Sequence, residues 1–185
     1  VTTPALFPGA TGMYRAAVIS ADHRYRYSLI RRWADTGPVV CFVMLNPSRA
    51  DAEVDDNTIR RCIGFARAWG ASALRVLNLY AYRSPYPRDL WTAADPVGPE
   101  NDAALTRAAQ RAQDRGWPLI AAWGGNARPD RVAAVLALSG MTALQALGVT
   151  RSGAPRHPLY LPTSAVPSPW PPAHLPDTTP GETPA

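Results

Sequence analysis

VVCFVMLNPS, residues 39–48, sets the architecture. From Val39 to Leu45 the run is apolar and rich in β-branched residues, the composition of a strand covered on both faces. Such a strand belongs in the middle of a sheet, and Asn46-Pro47-Ser48 ends it. Beyond it, Ile59, Cys62, Ile63, Ala66 and Trp69 recur at helical spacing over 58–69, with Arg60, Arg61 and Arg67 turned away. Gly70 stops that helix, and LRVLNLY, residues 74–80, supplies a second buried strand. A proline-rich loop leads to a helix over 102–115, and PLIAAW, residues 118–123, forms a third strand that ends at Gly124-Gly125. The pattern then predicts a helix over 129–138 with proline near its first turn, a shorter helix over 141–147 closed by Gly148, and a last strand at 157–161.

Upstream, residues 14–33 hold two roughly alternating stretches around Ala21-Asp22-His23, the signature of an antiparallel hairpin whose first arm is an added edge. Strands alternating with helices predict an α/β fold: a three-layer sandwich with a central, mostly parallel sheet, plus the N-terminal hairpin. A single α/β domain is expected over 1–165. Residues 166–185 read as a proline-rich flexible tail, since from Pro162 the chain lacks apolar periodicity.

At 185 residues, the chain fits one domain of ordinary size with a tail, as domains cluster at roughly 100–150 residues. No apolar run approaches the roughly 18 residues of a membrane span, and no signal peptide is evident, so a soluble, cytoplasmic protein with no membrane partner is expected. Cys41 and Cys62 are too few for a disulfide framework or a four-cysteine metal site and read as buried thiols. All 19 basic side chains are arginine. The formal charge of +5 permits contact with phosphates without specifying a site. No metal and no cofactor is expected, and a monomer is.

In open parallel sheets, ligands bind beyond the carboxyl ends of the strands, so the residues at those ends are the candidates. After the first strand come Asn46, Pro47 and Ser48; Asn78 stands at the end of the second, followed by Tyr80 and Tyr82. Trp123, Gly124 and Asn126 close the third strand, and Arg156, His157 and Leu161 mark the last element. A buried amide such as Asn78 bonds neighbouring backbone or faces a ligand that offers both donor and acceptor edges.

MLNPS, LNLYAY, AAWGGNA and RHPLYL, in this order and spacing, resemble the signature segments of the uracil-DNA glycosylase superfamily. The chain as a whole, and LNPS through NLYAYRSP especially, also resembles a bacterial family known as domain of unknown function 1643. The first resemblance implies a nucleobase N-glycosidase acting on DNA or on a nucleoside- or nucleotide-like compound. It further implies that Asn46 positions the attacking water, Asn78 reads the base edge, His157 stabilises the departing base and Leu161 wedges into a duplex. The sequence departs from the pattern at Ser48, where one branch has glycine, and at His-Pro-Leu-Tyr, where the superfamily has His-Pro-Ser-Pro. No phenylalanine follows the first motif to stack on a base, which leaves Tyr80 or Tyr82 as stand-ins, Phe65 being a core residue of the helix.

Between LNPS and the first helix lie Asp51, Glu53, Asp55 and Asp56. Asp55, Asp56 or Asn57 suits a helix N-cap, where negative charge complements the dipole. Asp51 or Asp55 suits a second role, stabilising positive charge on a sugar as an N-glycosidic bond breaks. Magnesium held by paired carboxylates is a weaker alternative, because the spacing fits no calcium-loop pattern. Whether the arginines of neighbouring loops (Arg49, Arg83, Arg88, Arg128, Arg151, Arg156) form a track or pair with these acids separates nucleic acid from a small base-bearing substrate. The rival class is a non-catalytic nucleic-acid or nucleotide-binding module on the same fold. A phosphotransfer enzyme is disfavoured by the absence of a Gly-x-x-x-x-Gly-Lys loop.

Overall fold

The computed structural model describes residues 12–48 and 53–171. Strands β1 (Tyr14–Ile19) and β2 (Arg26–Arg32) form the N-terminal antiparallel hairpin, with β1 at the sheet edge. The apolar run becomes β3 (Val39–Met44), buried at every position. Then follow helix α1 (Asn57–Ala68), β4 (Ala73–Asn78), α2 (Asn101–Arg115), β5 (Leu119–Ala121), α3 (Pro129–Leu136), β6 (Leu144–Ala146) and β7 (Ser168–Pro169). The seven strands make one mixed sheet in the order β1-β2-β4-β3-β5-β6-β7, parallel from β4 to β6 and antiparallel at both ends.

Alternation along the central strands divides the core into two layers. Val40, Phe42 and Met44 face α1 and meet Ile59, Cys62, Ile63, Phe65 and Ala66. Val39, Cys41 and Val43 face the other way, onto Leu105, Ala108, Ala109 and Ala112 of α2 and Val135 of α3. This three-layer arrangement is the one the sequence predicts. Burial pushes the Cys41 thiol up to about 11 and that of Cys62 higher still, so both stay protonated near neutral pH. No helix among the described residues is long and apolar enough to cross a membrane.

The order of the strands fixes where a ligand can enter. From β3 the chain crosses by α1 to β4 on one side, then by α2 back over β3 to β5 on the other. The connections leaving β3 and β5 thus run to opposite faces, which opens a crevice between their carboxyl ends.

Three expectations are corrected. Residues 141–147, expected as a helix, form a 3-10 turn over Met141–Ala143 and then strand β6. Gly140 enforces the change: at φ 87 it lies so close to α2 that a Cβ would sit 2.5 Å from the Gln110 nitrogen, and the chain turns into the sheet there. The expected strand at 157–161 is a 3-10 turn over Pro158–Tyr160, with no ladder partner. The last strand falls instead inside the proline-rich segment: Ser168 and Pro169 pair with β6, and Trp170 packs edge-on against Trp123 at 5.0 Å. A proline is tolerated there because β7 is an edge strand.

Candidate active site

The crevice holds a cavity of about 490 Å³ at the carboxyl ends of β3, β4 and β5. Its wall from the β3 end is Met44, Leu45, Asn46 and Ser48; Asn78 comes from β4; Trp123, Gly124, Gly125 and Asn126 follow β5; Thr150, Arg156, His157 and Tyr160 close the far side. Asp56, Thr58 and Ile59 enter from the start of α1, and Ser84, Pro85 and Pro87 from the loop after β4. Of the residues singled out from the sequence, Asn46, Ser48, Asn78, Trp123, Gly124, Asn126, Arg156 and His157 therefore meet around one space.

Asn46 donates from Nδ2 to the carbonyls of Ser84, at 2.9 Å, and Pro47, at 3.2 Å, so its amide ties the β3 end to the loop after β4. No described residue donates to its Oδ1. Pro47 is buried behind it, its carbonyl also accepting from Ser84 N at 2.9 Å. Asn78 is 2% exposed, and its Oδ1 accepts from Arg26 Nη2 at 3.4 Å. The backbone beneath is held by Asn101, whose Nδ2 donates to the carbonyls of Asn78, at 3.1 Å, and Leu79, at 2.9 Å. Arg131 Nε adds a third bond, to Leu79 O at 2.8 Å.

His157 caps the 3-10 turn that follows it, its Nδ1 accepting from Leu159 N at 3.3 Å. The neutral imidazole then carries its proton on Nε2. Burial lowers the His157 pKa from its ordinary value, against an opposing pull from the Asp56 carboxylate. Gly124, at φ 75, donates to Pro155 O at 2.9 Å and brings the strand end against His157, whose Cβ would touch a Cβ built at residue 124 at 3.9 Å. Tyr160, 74% exposed, stands at the rim with its ring 5.7 Å from that of His157.

Other expected site residues lie elsewhere. Asp55 is engaged by Arg15 Nη1 and Arg31 Nε, each at 2.7 Å, and does not line the cavity. Its neighbour Asp56 does, while its Oδ1 caps α1 by accepting from Ile59 N at 2.8 Å. Asp51 and Arg49 fall outside the described residues. Tyr80 is buried against Trp91 and the half-buried Tyr82 packs against Tyr25, and neither lines the cavity, so neither is placed to stack on a base within it. Leu161, expected as a wedge, is 6% exposed and sits in the core beside Leu147, with its carbonyl accepting from Arg61 Nη2. The 3-10 turn explains the exchange, turning Leu161 inward and Tyr160 outward.

Sequence reasoning missed Arg26, Asp56 as a cavity residue, Ser84 and Tyr160. Arg26 had a signal available: a hairpin arm antiparallel to β4 brings its first residue to the carboxyl edge. Of the five loop arginines among the described residues (Arg83, Arg88, Arg128, Arg151 and Arg156), only Arg156 lines the cavity. Arg83 donates to His23 O, Arg88 lies near Asp89 and over Tyr86, and Arg128 lies over Trp91. Among the described residues no group of three or more His, Cys, Asp or Glu is placed to hold a metal.

Residues 26–159 match the family described as "Protein of unknown function (DUF1643)", and the chain belongs to that family. No curated protein and no solved structure matches the chain.

Proposed function

We propose that this DUF1643 member is a nucleobase N-glycosidase that hydrolyses the bond between a base and its sugar. The observation that carries the reading is the meeting of Asn46, Asn78, His157 and one carboxylate, Asp56, around a single cavity at the switch point of the sheet. The segments that resemble the uracil-DNA glycosylase superfamily supply the first three. In the proposed reaction, Asn46 Oδ1 accepts a hydrogen from a water and orients its lone pair toward the anomeric carbon. As the carbon–nitrogen bond breaks, its electron pair leaves with the base and the His157 Nε2–H donates to the charge that develops there; the water that bonds to the anomeric carbon releases a proton to solvent, and the departed base takes one up from solvent. Positive charge on the sugar is offset by Asp56, in the role first considered for Asp51 or Asp55.

The surroundings favour a nucleoside- or nucleotide-like molecule over DNA. A duplex-binding surface needs several cations tracking a phosphate backbone, yet three of the five loop arginines among the described residues, Arg83, Arg88 and Arg128, are turned to a carbonyl, a carboxylate or a ring. Leu161 is also unavailable as a wedge.

Base release measured from free nucleotides and from single- and double-stranded DNA carrying uracil, hypoxanthine or alkylated bases tests the reading. Release from at least one substrate, abolished by Asn46→Ala and His157→Ala, is expected; no release from any by folded protein overturns it. The commitment of the Asn46 amide nitrogen to two backbone carbonyls favours a second reading, a nucleotide-binding module without turnover. Binding that survives both substitutions, without hydrolysis, would select that alternative.

A further inference from the structure

An asparagine at a strand end can in principle read a base by donating and accepting side by side, but the surroundings of Asn78 remove half of that capacity. Arg26, 3% exposed, lies with Nη2 at 3.4 Å from Asn78 Oδ1. A guanidinium has donors only, so the amide oxygen is the end that faces it. Flipping the amide would set two N–H groups against each other in a buried place, a repulsive contact that forfeits this hydrogen bond. Nor can the strand end swing to compensate, because Asn101 holds the carbonyls of residues 78 and 79 and β3 pairs alongside at Met44. What Asn78 offers the cavity is therefore Nδ2 with its two hydrogens, and no described residue accepts from it. His157, across the same cavity, likewise presents an N–H.

Resting on the N-glycosidase reading, we propose that Arg26 is a positioning residue which locks Asn78 as a pure donor, so that the site selects a base by an acceptor-only edge. Among the common bases that edge is O6 and N7 of a 6-oxopurine. Adenine carries an exocyclic amine where the 6-oxopurine carries O6, and cytosine offers an amine at the corresponding place. Uracil alternates O4 with N3–H, so its donor would meet Nδ2. A cavity of about 490 Å³ has room for a two-ring base with part of its sugar. Donors on this edge also oppose the negative charge that a departing purine spreads over its ring, so recognition and leaving-group stabilisation act together.

The test measures equilibrium binding of GMP, IMP, AMP, CMP and UMP to the full chain, with base release followed separately. GMP and IMP are expected to bind roughly tenfold or more tightly than AMP and CMP, with UMP between. Equal or tighter binding of AMP or CMP overturns the proposal. Arg26→Met frees the amide to rotate and is expected to remove the preference, while Arg26→Lys, which keeps a donor against Oδ1, retains it. A folded Arg26→Met protein that keeps the full preference also overturns the proposal; if that variant does not fold, the wild-type ranking decides. Selective binding of GMP and IMP without base release would sink hydrolysis and leave this inference standing. Release without selectivity would do the reverse, and failure to bind any nucleotide overturns both.

Discussion

Asp55 and Asp56 are consecutive residues of one acidic loop, and they belong to different parts of the molecule. Asp55 closes a clamp with Arg15 and the fully buried Arg31, joining the hairpin to the start of α1. Asp56 begins that helix and looks onto the cavity beside His157. One residue of backbone separates a carboxylate that fastens the fold from one that faces a prospective substrate. The lesson is that the crowding of acids in the sequence has two unrelated causes, and that residue type alone does not divide them.

The comparison breaks first at Asp55. Asp55→Ala removes the carboxylate from a buried arginine, and equilibrium unfolding in urea should show a loss of about 3–5 kcal/mol. A loss below about 1 kcal/mol, the value of an exposed pair, would mean the clamp is ornamental. Nucleotide binding by the remaining folded protein should be unaffected. Leu161→Ala is the next largest change, expected to cost about 2–4 kcal/mol as a core truncation, again with binding preserved. Loss of binding without loss of stability would instead return Leu161 to the site.

Asp56 sharpens the contrast from the other side. Asp56→Ala should cost only about 1 kcal/mol, the worth of an N-cap, while base release falls sharply. Asp56→Asn keeps a capping oxygen, so unfolding should be almost unchanged and base release should still fall. Release that survives Asp56→Asn at full rate would remove the carboxylate from the mechanism.

The smallest effect is a shift in pH dependence. Burial lowers the His157 pKa, so the neutral imidazole with its Nε2–H persists below the ordinary 6.5. The folded state then binds fewer protons than the unfolded state in that window, so the stability contributed by neutral His157 is full above pH 6.5 and is lost as pH falls toward the lower folded value. The acid limb of base release should have its midpoint below 6.5, and Asp56→Asn, by removing the charge that opposes the shift, should move it lower still. A limb that moves up in Asp56→Asn would contradict the electrostatic coupling.

Much of this arrangement was legible in the sequence, because it depends on chain order. The apolar runs at Val39–Met44 and Ala73–Asn78 declare central strands, the helical spacing from Ile59 to Ala66 declares a cover, and a parallel sheet gathers their ends at one edge. That is why Asn46, Asn78 and Trp123 could be named from chain order, whereas His157 rested on an expected last strand, which is a 3-10 turn, and on the resemblance carried by RHPLYL. What was not legible depends on rotation and close approach. A short apolar run such as Met141 to Leu147 fits a helix period, and only the contact of Gly140 with α2 decides against it. Whether Leu161 or Tyr160 faces outward turns on the Pro158–Tyr160 turn, and Arg26 reaches the cavity only because β2 runs against β4.

The pairing of Trp170 with Trp123 has a practical consequence. Two indoles held edge-on at 5.0 Å join the last strand of the sheet to the residue that precedes Gly124 in the cavity wall. Their transitions couple, so the near-ultraviolet circular dichroism of the protein should carry a signal from this one place. Ligand entry that shifts the wall, or removal of the chain after residue 165, would be read there directly, without any label. The molecule thus carries its own optical gauge of the pocket, built from a segment that composition alone would assign to the solvent.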